Sequence, residues 1–436
     1  MDAVLIELLK AYSEEVMAYS LKPARSAQSG GPSGFSGEHS KAEAARINCP
    51  ANQTPPFSDS VEDGQAEEKH LSRLERLLAK SGRKNLVVFG VANHMFVGSC
   101  ARLCNEYDYN LFLCDLDIPR ARAFRQSRAW SDITNAAGTF IPVFDASARA
   151  IFALLAGVGL TVENSVFYLC PGLSAPEARN LQVCMKLFQR SHPVYHTENT
   201  KGPELQMSAD KEISILTILH PNEPDITEFC TQIPTGIREL VIVWDSPTPF
   251  HRPLSAACPI VQCHRDLDGN FAAQRNFALS LCSGNWVLAL DGDERLDAAG
   301  WAAVTQAVAE QPAEAYFLPR FTLFPDIRHF RMGYGLWPDY QLRLFRRTGK
   351  TRFTHPVHEI LTGVAGPQAI LAGAPILHLS YVIKNRELLE ERLEVFNRAM
   401  GKAAHHLSRE YPHLPLTWLQ KFKAVCPDLK YLLLAE

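Results

Sequence analysis

The chain has 436 residues, 46% hydrophobic and 21% charged, and its 44 Lys+Arg against 47 Asp+Glu leave a net charge of −3. That apolar share excludes a wholly disordered chain, and at roughly 100–200 residues per domain the length suggests two or three domains. The near-neutral balance creates no whole-chain field for nucleic acid or an anionic membrane, so no nucleic-acid partner is expected.

The first segment, MDAVLIELLKAYSEEV, carries Asp2, Glu7, Glu14 and Glu15 where a secretory signal would be basic. Residues 1–21 therefore read as an amphipathic helix and the protein as cytoplasmic. Residues 22–68 are rich in Ser, Gly, Pro and charge and read as a flexible tether. A helical pattern at His70–Ser81 opens an α/β unit over 69–200, in which LVVFGVA, NLFLCDLD, FIPVFD and SVFYLCP alternate with helical segments. Such alternation implies a Rossmann-like parallel sheet covered by helices. The polar stretch Thr197–Asp210 reads as a linker.

A second βα series begins at Glu212, with strands at Ile213–Leu219, Glu239–Trp244, Pro259–His264 and Trp286–Leu290. Helices are predicted at Asp225–Gln232, Asn270–Leu281 and Ala298–Glu310, aromatic strand-like pieces at Ala315–Leu323 and Tyr340–Arg346, and a helical tail at Asn385–Arg409. The eleven Cys include no CxxC pair, and several sit inside apolar runs, as expected of buried free thiols in a reducing compartment. The longest apolar stretch, Ala150 to Val162, is too short to span a bilayer. Peripheral contact at the inner membrane face stays open.

Three Asp-x-Asp pairs occur: Asp115/Asp117, Asp266/Asp268 and Asp291/Asp293. Asp266/Asp268 lies in a polar turn. Asp115/Asp117 follows an apolar strand and is placed like a ribose-binding acid of a dinucleotide or methyltransferase-type fold. Yet Gly90 is followed by VANHMFVG, without the glycine fingerprint of tight pyrophosphate approach. A structural or partner-binding role is the expectation for 69–200. Asp291 and Asp293 end the apolar strand WVLAL, project into the crevice where α/β sheets bind ligands, and form a pair able to hold Mg²⁺ or Mn²⁺.

Five stretches surround that pair: ISILTILHPNE (Ile213–Glu223), ELVIVWDS (Glu239–Ser246), FAAQRNFALSLCSGNWVLALDGDERL (Phe271–Leu296), WPDYQLRLFRR with HPVHEIL (Trp337–Leu361), and ILHLSY (Ile376–Tyr381). Their order and spacing resemble the family-2 glycosyltransferases with the GT-A fold, closest to the subgroup of lipopolysaccharide core β-1,4-glucosyltransferases. The resemblance covers Glu212–Phe396. It implies a GT-A domain over 211–436 with a mixed central sheet and a helical tail.

The resemblance further implies a nucleotide-diphospho-sugar donor, foremost a UDP-sugar, a divalent Mn or Mg ion, inverting transfer, and a glycan or lipid-linked envelope acceptor. It assigns donor binding to Asn222, Glu223, Asp245, Arg275, Asn276 and Asp291. Metal ligation falls to Asp291, Asp293 and a late His378, with Glu294 a supporting partner. Two acids compete as the base that deprotonates the acceptor hydroxyl, Asp339, slightly preferred, and Glu359. Arg343 and Arg346 are three apart on one strand, so only one can face the site. The alternative is a catalytically inactive GT-A-type module that binds a glycan or partner. A nucleotidyltransferase is disfavoured because LHPNEPD lacks a Gly-rich basic loop.

Overall fold

The computed structural model describes residues 3–19, 61–136, 139–195, 212–400, 410–425 and 429–434. The tether up to residue 60, the linker over 197–210 and the end of the helical tail, 401–409, lie outside the described residues. The fold class is α/β, with one parallel and one mixed sheet.

The first sheet consists of β1 (Asn85–Phe89), β2 (Asn110–Asp115), β3 (Thr139–Phe144) and β4 (Ser165–Leu169), all parallel, in the order β3-β2-β1-β4. Every residue of β1 is buried. Near-continuous apolar strands of this kind are the mark of a parallel sheet covered on both faces. The covering helices start at polar caps: Asn93, Asp117 and Ser147 each accept a backbone N–H of the helix that follows.

The helix over Val61–Ser81 starts well before the predicted His70. Its first turns, VEDGQAEEKH, are polar enough to pass for tether, but Glu, Ala and Gln are good helix formers, and composition alone registered only the polarity. Leu74 and Leu78 anchor it.

The second sheet consists of β5 (Ser191–Tyr195), β6 (Ile213–Leu219), β7 (Glu239–Asp245), β8 (Ile260–Arg265), β9 (Trp286–Ala289), β11 (Ala315–Thr322), β13 (Asp339–Arg346), β16 (Gln368–Ile370) and β19 (Leu429–Leu434). Their order is β5-β19-β16-β11-β13-β9-β6-β7-β8. β10 (Glu294–Arg295) and β17 (Ile376–His378) pair off this path. Small ladders join β12 (His329–Arg331) to β18 (His413–Pro415) and β14 (Arg352–Thr354) to β15 (Ile360–Thr362). β6 to β9 run parallel, whereas β13 is antiparallel to both β9 and β11. This is the mixed central sheet expected of residues 211–436.

One strand departs from the sequence reading. β5 falls inside 69–200 yet pairs antiparallel with β19 of the second sheet. Its Pro193 cannot donate to a ladder, which suits the sheet edge it occupies.

The N-terminal helix, Ala3–Ala18, is a bolt between the two sheets rather than an appendage. Ser13 Oγ donates to Pro142 O (3.0 Å) and accepts from Phe144 N (3.1 Å), satisfying the free side of β3. Tyr12 OH donates to Asp145 Oδ2 (2.7 Å), and Trp418 Nε1 donates to Leu8 O (2.9 Å). Leu9, Tyr12 and Val16 join one continuous core with Phe89, Phe330, Trp337 and Trp418. Each large apolar side chain so buried contributes about 1.5–3 kcal/mol. No helix among the described residues is long and apolar enough to cross a membrane.

Candidate functional site

β9 lies between β6 and β13, and the chain leaving its C-terminal end carries Asp291-Gly292-Asp293-Glu294. Gly292 leaves room there. A Cβ at this position would come 2.7 Å from Leu219 Cδ2 and 3.2 Å from Glu223 Cγ, so a larger residue would force these side chains at the end of β6 to shift. Just beyond, β10 pairs with β17 in a register that sets Glu294 opposite His378, and Leu379 N donates to Asp293 O (2.8 Å). The last stretch of the resemblance is thereby drawn to the acidic pair.

Cations from four other segments converge on these carboxylates. Arg275, on the helix Phe271–Leu281, places Nη2 2.8 Å from Asp291 Oδ1 and Nε 2.5 Å from Glu359 Oε1. Arg343 of β13 places Nη2 2.6 Å from both Asp291 Oδ2 and Glu294 Oε1. Arg320 of β11 grips Asp339 Oδ2 through Nη2 (2.6 Å) and Nε (2.8 Å) and reaches Glu294 at 3.3 Å. Lys384 Nζ lies 2.7 Å from both Asp293 Oδ2 and Glu223 Oε1, and Arg392 holds the other Glu223 oxygen at 2.9 Å. Five cations thus face six carboxylates in a largely buried cluster. Two of its guanidinium nitrogens, Arg275 Nη1 and Arg343 Nε, are buried without a hydrogen-bond partner.

The pairing sets the protonation states. Burial works to raise the pKa of Asp291, but Arg343 and Arg275 outweigh it and hold the carboxyl far below the usual range. Burial likewise opposes, and His378 and Lys384 reverse, the shift at Asp293, which also ends well below its ordinary value. Asp339 is depressed against its burial by Arg320 and Gln341, whose Nε2 donates to Oδ1 at 2.5 Å. Lys384 is raised, because Asp293 and Glu223 overcome the desolvation that would lower it.

The donor set does not fit a resident divalent cation. Both Asp291 oxygens already accept guanidinium N–H groups, and Asp293 Oδ2 accepts from Lys384 and from the Ser380 hydroxyl. His378 Nε2 does approach Asp293 Oδ2, at 3.4 Å, while its Nδ1 meets Thr322 Oγ1 at 3.1 Å. Among the described residues, no three His, Cys, Asp or Glu side chains form a metal-binding group. Mg²⁺ and Mn²⁺ need free carboxylate oxygens, and here three of the four oxygens of the pair, both of Asp291 and Oδ2 of Asp293, already face cations.

The remaining expected residues sit apart or at the rim. Asp245 ends β7 and its Oδ1 accepts Leu267 N (3.0 Å). Asn222 is exposed, its N–H bonded to His220 Nδ1 (3.1 Å). Asn276, expected to bind donor, uses both ends of its amide on the backbone of Phe353 (2.8 Å each), tying its helix to β14 rather than joining the cluster. Arg343 is buried in the site, whereas Arg346 turns away to Gln311 and Glu314, as strand alternation requires.

Between β14 and β15, His355 and His358 adopt left-handed φ of 70° and 54°. Such geometry costs non-glycine residues about 1–2 kcal/mol, and here it carries the loop that delivers Glu359 to Arg275. The helix Arg386–Ala399 crosses the mouth: Arg392 reaches Glu223, and Phe396 packs edge-on against the ring of His358 at 5.1 Å. Between it and the loop after β6 lies an open cleft of ≈470 Å³ whose walls include Asn222, Pro224, Ile383 and Leu388.

Arg320, Lys384 and Arg392 were missed by the sequence reading. A lone Arg in the apolar strand AYFLPRFT was the available signal for Arg320. Lys384 and Arg392 sit in an ordinary-looking amphipathic region and gave none.

No family model matches the chain. A TPR repeat-containing protein of Synechococcus elongatus is 30% identical over 155 residues, 35% of this chain and 36% of the relative. The chain therefore spans little more than a third of that relative's length. Among solved structures, Staphylococcus aureus TarS 1-349 in complex with UDP aligns over 49% of this chain and 70% of its own, at 11% identity and a TM-score of 0.26. The same protein in complex with UDP-GlcNAc covers 49% and 71%, at 13% identity and a TM-score of 0.27. Likeness this distant carries no residue roles across.

Proposed function

We propose that residues 212–400 form the donor site of a glycosyltransferase of the family-2 type. It moves a sugar from a nucleoside diphosphate, foremost a UDP-sugar, to a hydroxyl of a glycan or lipid-linked acceptor with inversion, on the cytoplasmic side of the envelope. One observation carries the reading. The strand-end Asp291 is clamped between Arg275 and Arg343, both buried, and each has a further guanidinium nitrogen left without a partner. A buried unmade N–H costs about 1–3 kcal/mol, so an anionic ligand that completes both is favoured. A diphosphate is such a ligand, and guanidinium groups fixed beside it stabilise the charge that develops as the sugar departs.

We assign the nucleoside to Asp245, the last residue of β7, and Asn222, in the loop after β6, since ligands of open α/β sheets bind beyond the carboxyl ends of the strands. Glu359 is the better base of the two candidates. Asp339 has both oxygens engaged and its basicity lowered, whereas Glu359 meets Arg275 through Oε1 alone, so its second oxygen is the one we assign to the acceptor hydroxyl. The lowered basicity of Asp339 supports Glu359 over it as the base. The rival reading, an inactive binding module, draws on the same fact, since both acids are ion-paired. A donor panel decides between them. Thermal shift should rise with the cognate nucleotide sugar, and nucleoside diphosphate should be released on turnover. Binding without release from any donor, with cell extract supplied as acceptor, favours the inactive module.

A further inference from the structure

We infer that the Lys384 ammonium is the resident cation of the crevice, so that a nucleoside diphosphate binds without a divalent metal; the inference rests on the donor-site reading above. Lys384 Nζ bridges Asp293, from the turn after β9, and Glu223, from the loop after β6, at 2.7 Å each. Its side chain is 10% exposed, and those of Asp293 and Glu223 are 6% and 8% exposed. It thus links carboxylates from two sides of the crevice, as a bridging metal ion would.

The position is built rather than incidental. Leu379 N is tied to Asp293 O at 2.8 Å, and the short helix Ser380–Ile383 ends with Lys384 N donating to Ser380 O at 3.2 Å. The Ser380 hydroxyl donates to the same Asp293 oxygen as the lysine. An ammonium has three N–H donors; one bonds Asp293 Oδ2 and the approach to Glu223 Oε1 is an ion pair, which leaves donor capacity for a diphosphate oxygen. A divalent ion bound at Asp293 Oδ2 would displace Lys384 from that oxygen and leave the buried ammonium with Glu223 alone, which costs part of the desolvation that the pair of carboxylates now offsets. Nor does Asp291 offer a second foothold, since Arg275 and Arg343 occupy both its oxygens.

The test measures UDP binding to the full chain by titration calorimetry, once with excess EDTA and once with Mn²⁺, and Mn²⁺ binding alone by electron paramagnetic resonance. The wild type should bind UDP in EDTA, and its affinity should change less than about threefold with Mn²⁺, under the 1.4 kcal/mol of a tenfold effect. It should show no saturable Mn²⁺ binding by itself. Lys384→Met frees Asp293 and Glu223. It should lose about 10–100-fold in UDP affinity in EDTA, the value of one charged hydrogen bond, and gain Mn²⁺ binding. Lys384→Arg should keep most of the affinity without metal. UDP binding by the wild type that appears only with Mn²⁺ overturns the inference and leaves the donor reading intact. Absence of UDP binding in both conditions overturns the donor reading, and the inference with it. The wild-type comparison decides even if Lys384→Met fails to fold.

Discussion

The chain places an Asp-x-Asp pair at the end of a parallel strand in each of its two sheets, and the two pairs meet opposite fates. Asp115, the last residue of β2, accepts Val91 N (2.8 Å), Asp117 N (2.9 Å) and both Nε and Nη2 of Arg120 (2.9 and 2.7 Å). Two of its partners are backbone groups, and Arg120 lies five residues on. Asp117 caps the helix Ile118–Arg125. Asp291 and Asp293, after β9, are held instead by side-chain cations from helices and strands remote in sequence, Arg275, Arg343 and Lys384. A carboxylate fixed by its own backbone is a structural peg. One held by side-chain charges can exchange a partner for a ligand at little backbone cost. The motif alone does not separate these cases; the origin of the partners does.

Breaking the second pair should have the largest effect. Asp293→Asn is expected to lower turnover about 10²–10³-fold, the range seen when one aligned electrostatic group is lost, with little change in fold by circular dichroism. Full activity in the variant would remove Asp293 from the mechanism. Next come the acids beside it. Glu359→Gln should cost about 10²–10⁴-fold in kcat with UDP affinity kept, the signature of a lost general base. Asp339→Asn should cost less, because its carboxylate already belongs to Arg320. The reverse order would restore Asp339 as the base.

The first pair should answer in stability rather than rate. Asp115→Ala leaves Arg120, only 20% exposed, with Glu177 as its near partner and takes the acceptor from Val91 N and Asp117 N, so it should cost about 3 kcal/mol in urea unfolding, the low end for breaking a buried pair, while kcat of the remaining folded enzyme is unchanged. A loss of kcat without a loss of stability would give the N-terminal sheet a ligand role after all.

Acid should probe the second pair further. Asp291, Asp293 and Asp339 have folded pKa values below their ordinary ones, so the unfolded chain takes up protons first as the pH drops. Their stabilising contribution is fully present above the unfolded carboxylate value of about 3.9 and is lost as the pH falls toward the folded values. The urea midpoint should therefore be insensitive to these groups from about pH 5 upward and decline below about pH 4. The Asp293→Asn variant should show a shallower decline, and an equal slope in the two proteins would contradict the assignment.

The parallel strands and their helices were legible because buried strands are written as unbroken apolar runs, and β1, β2, β6, β7 and β9 fall where those runs stand. The Arg343/Arg346 division followed from the two-residue period of a strand. β5 was not legible, because nothing in SHPVY reports that its partner is β19, more than two hundred residues away. The acidic half of the site was visible from Asp291 and Asp293. Of its cations, Arg275 and one of Arg343 and Arg346 were also read from the sequence, whereas Arg320, Lys384 and Arg392 gain meaning only when β11 and the segment after β17 close around the turn. Asn276 shows the converse, a residue type suited to a ligand that the fold uses on the Phe353 backbone.

The smallest expected effect tests the comparison at its finest grain. Asp117 and Asp293 both end an Asp-x-Asp pair, but Asp117 accepts Arg120 N at 2.9 Å as a helix cap, and its side chain is 43% exposed. Its 3.8 Å approach to Arg120 is weak at that exposure. Asp117→Ala should therefore cost about 1 kcal/mol, the usual value of a lost N-cap, and Asp117→Asn or Asp117→Ser should recover most of it, since a cap needs an oxygen acceptor rather than a charge. Lys384→Arg at the other pair should be tolerated for the opposite reason, because there the charge is what matters. If Asp117→Asn were as damaging as Asp117→Ala, the charge of Asp117 would be engaged beyond its helix, and the N-terminal sheet edge would have to be reconsidered as a second ligand site.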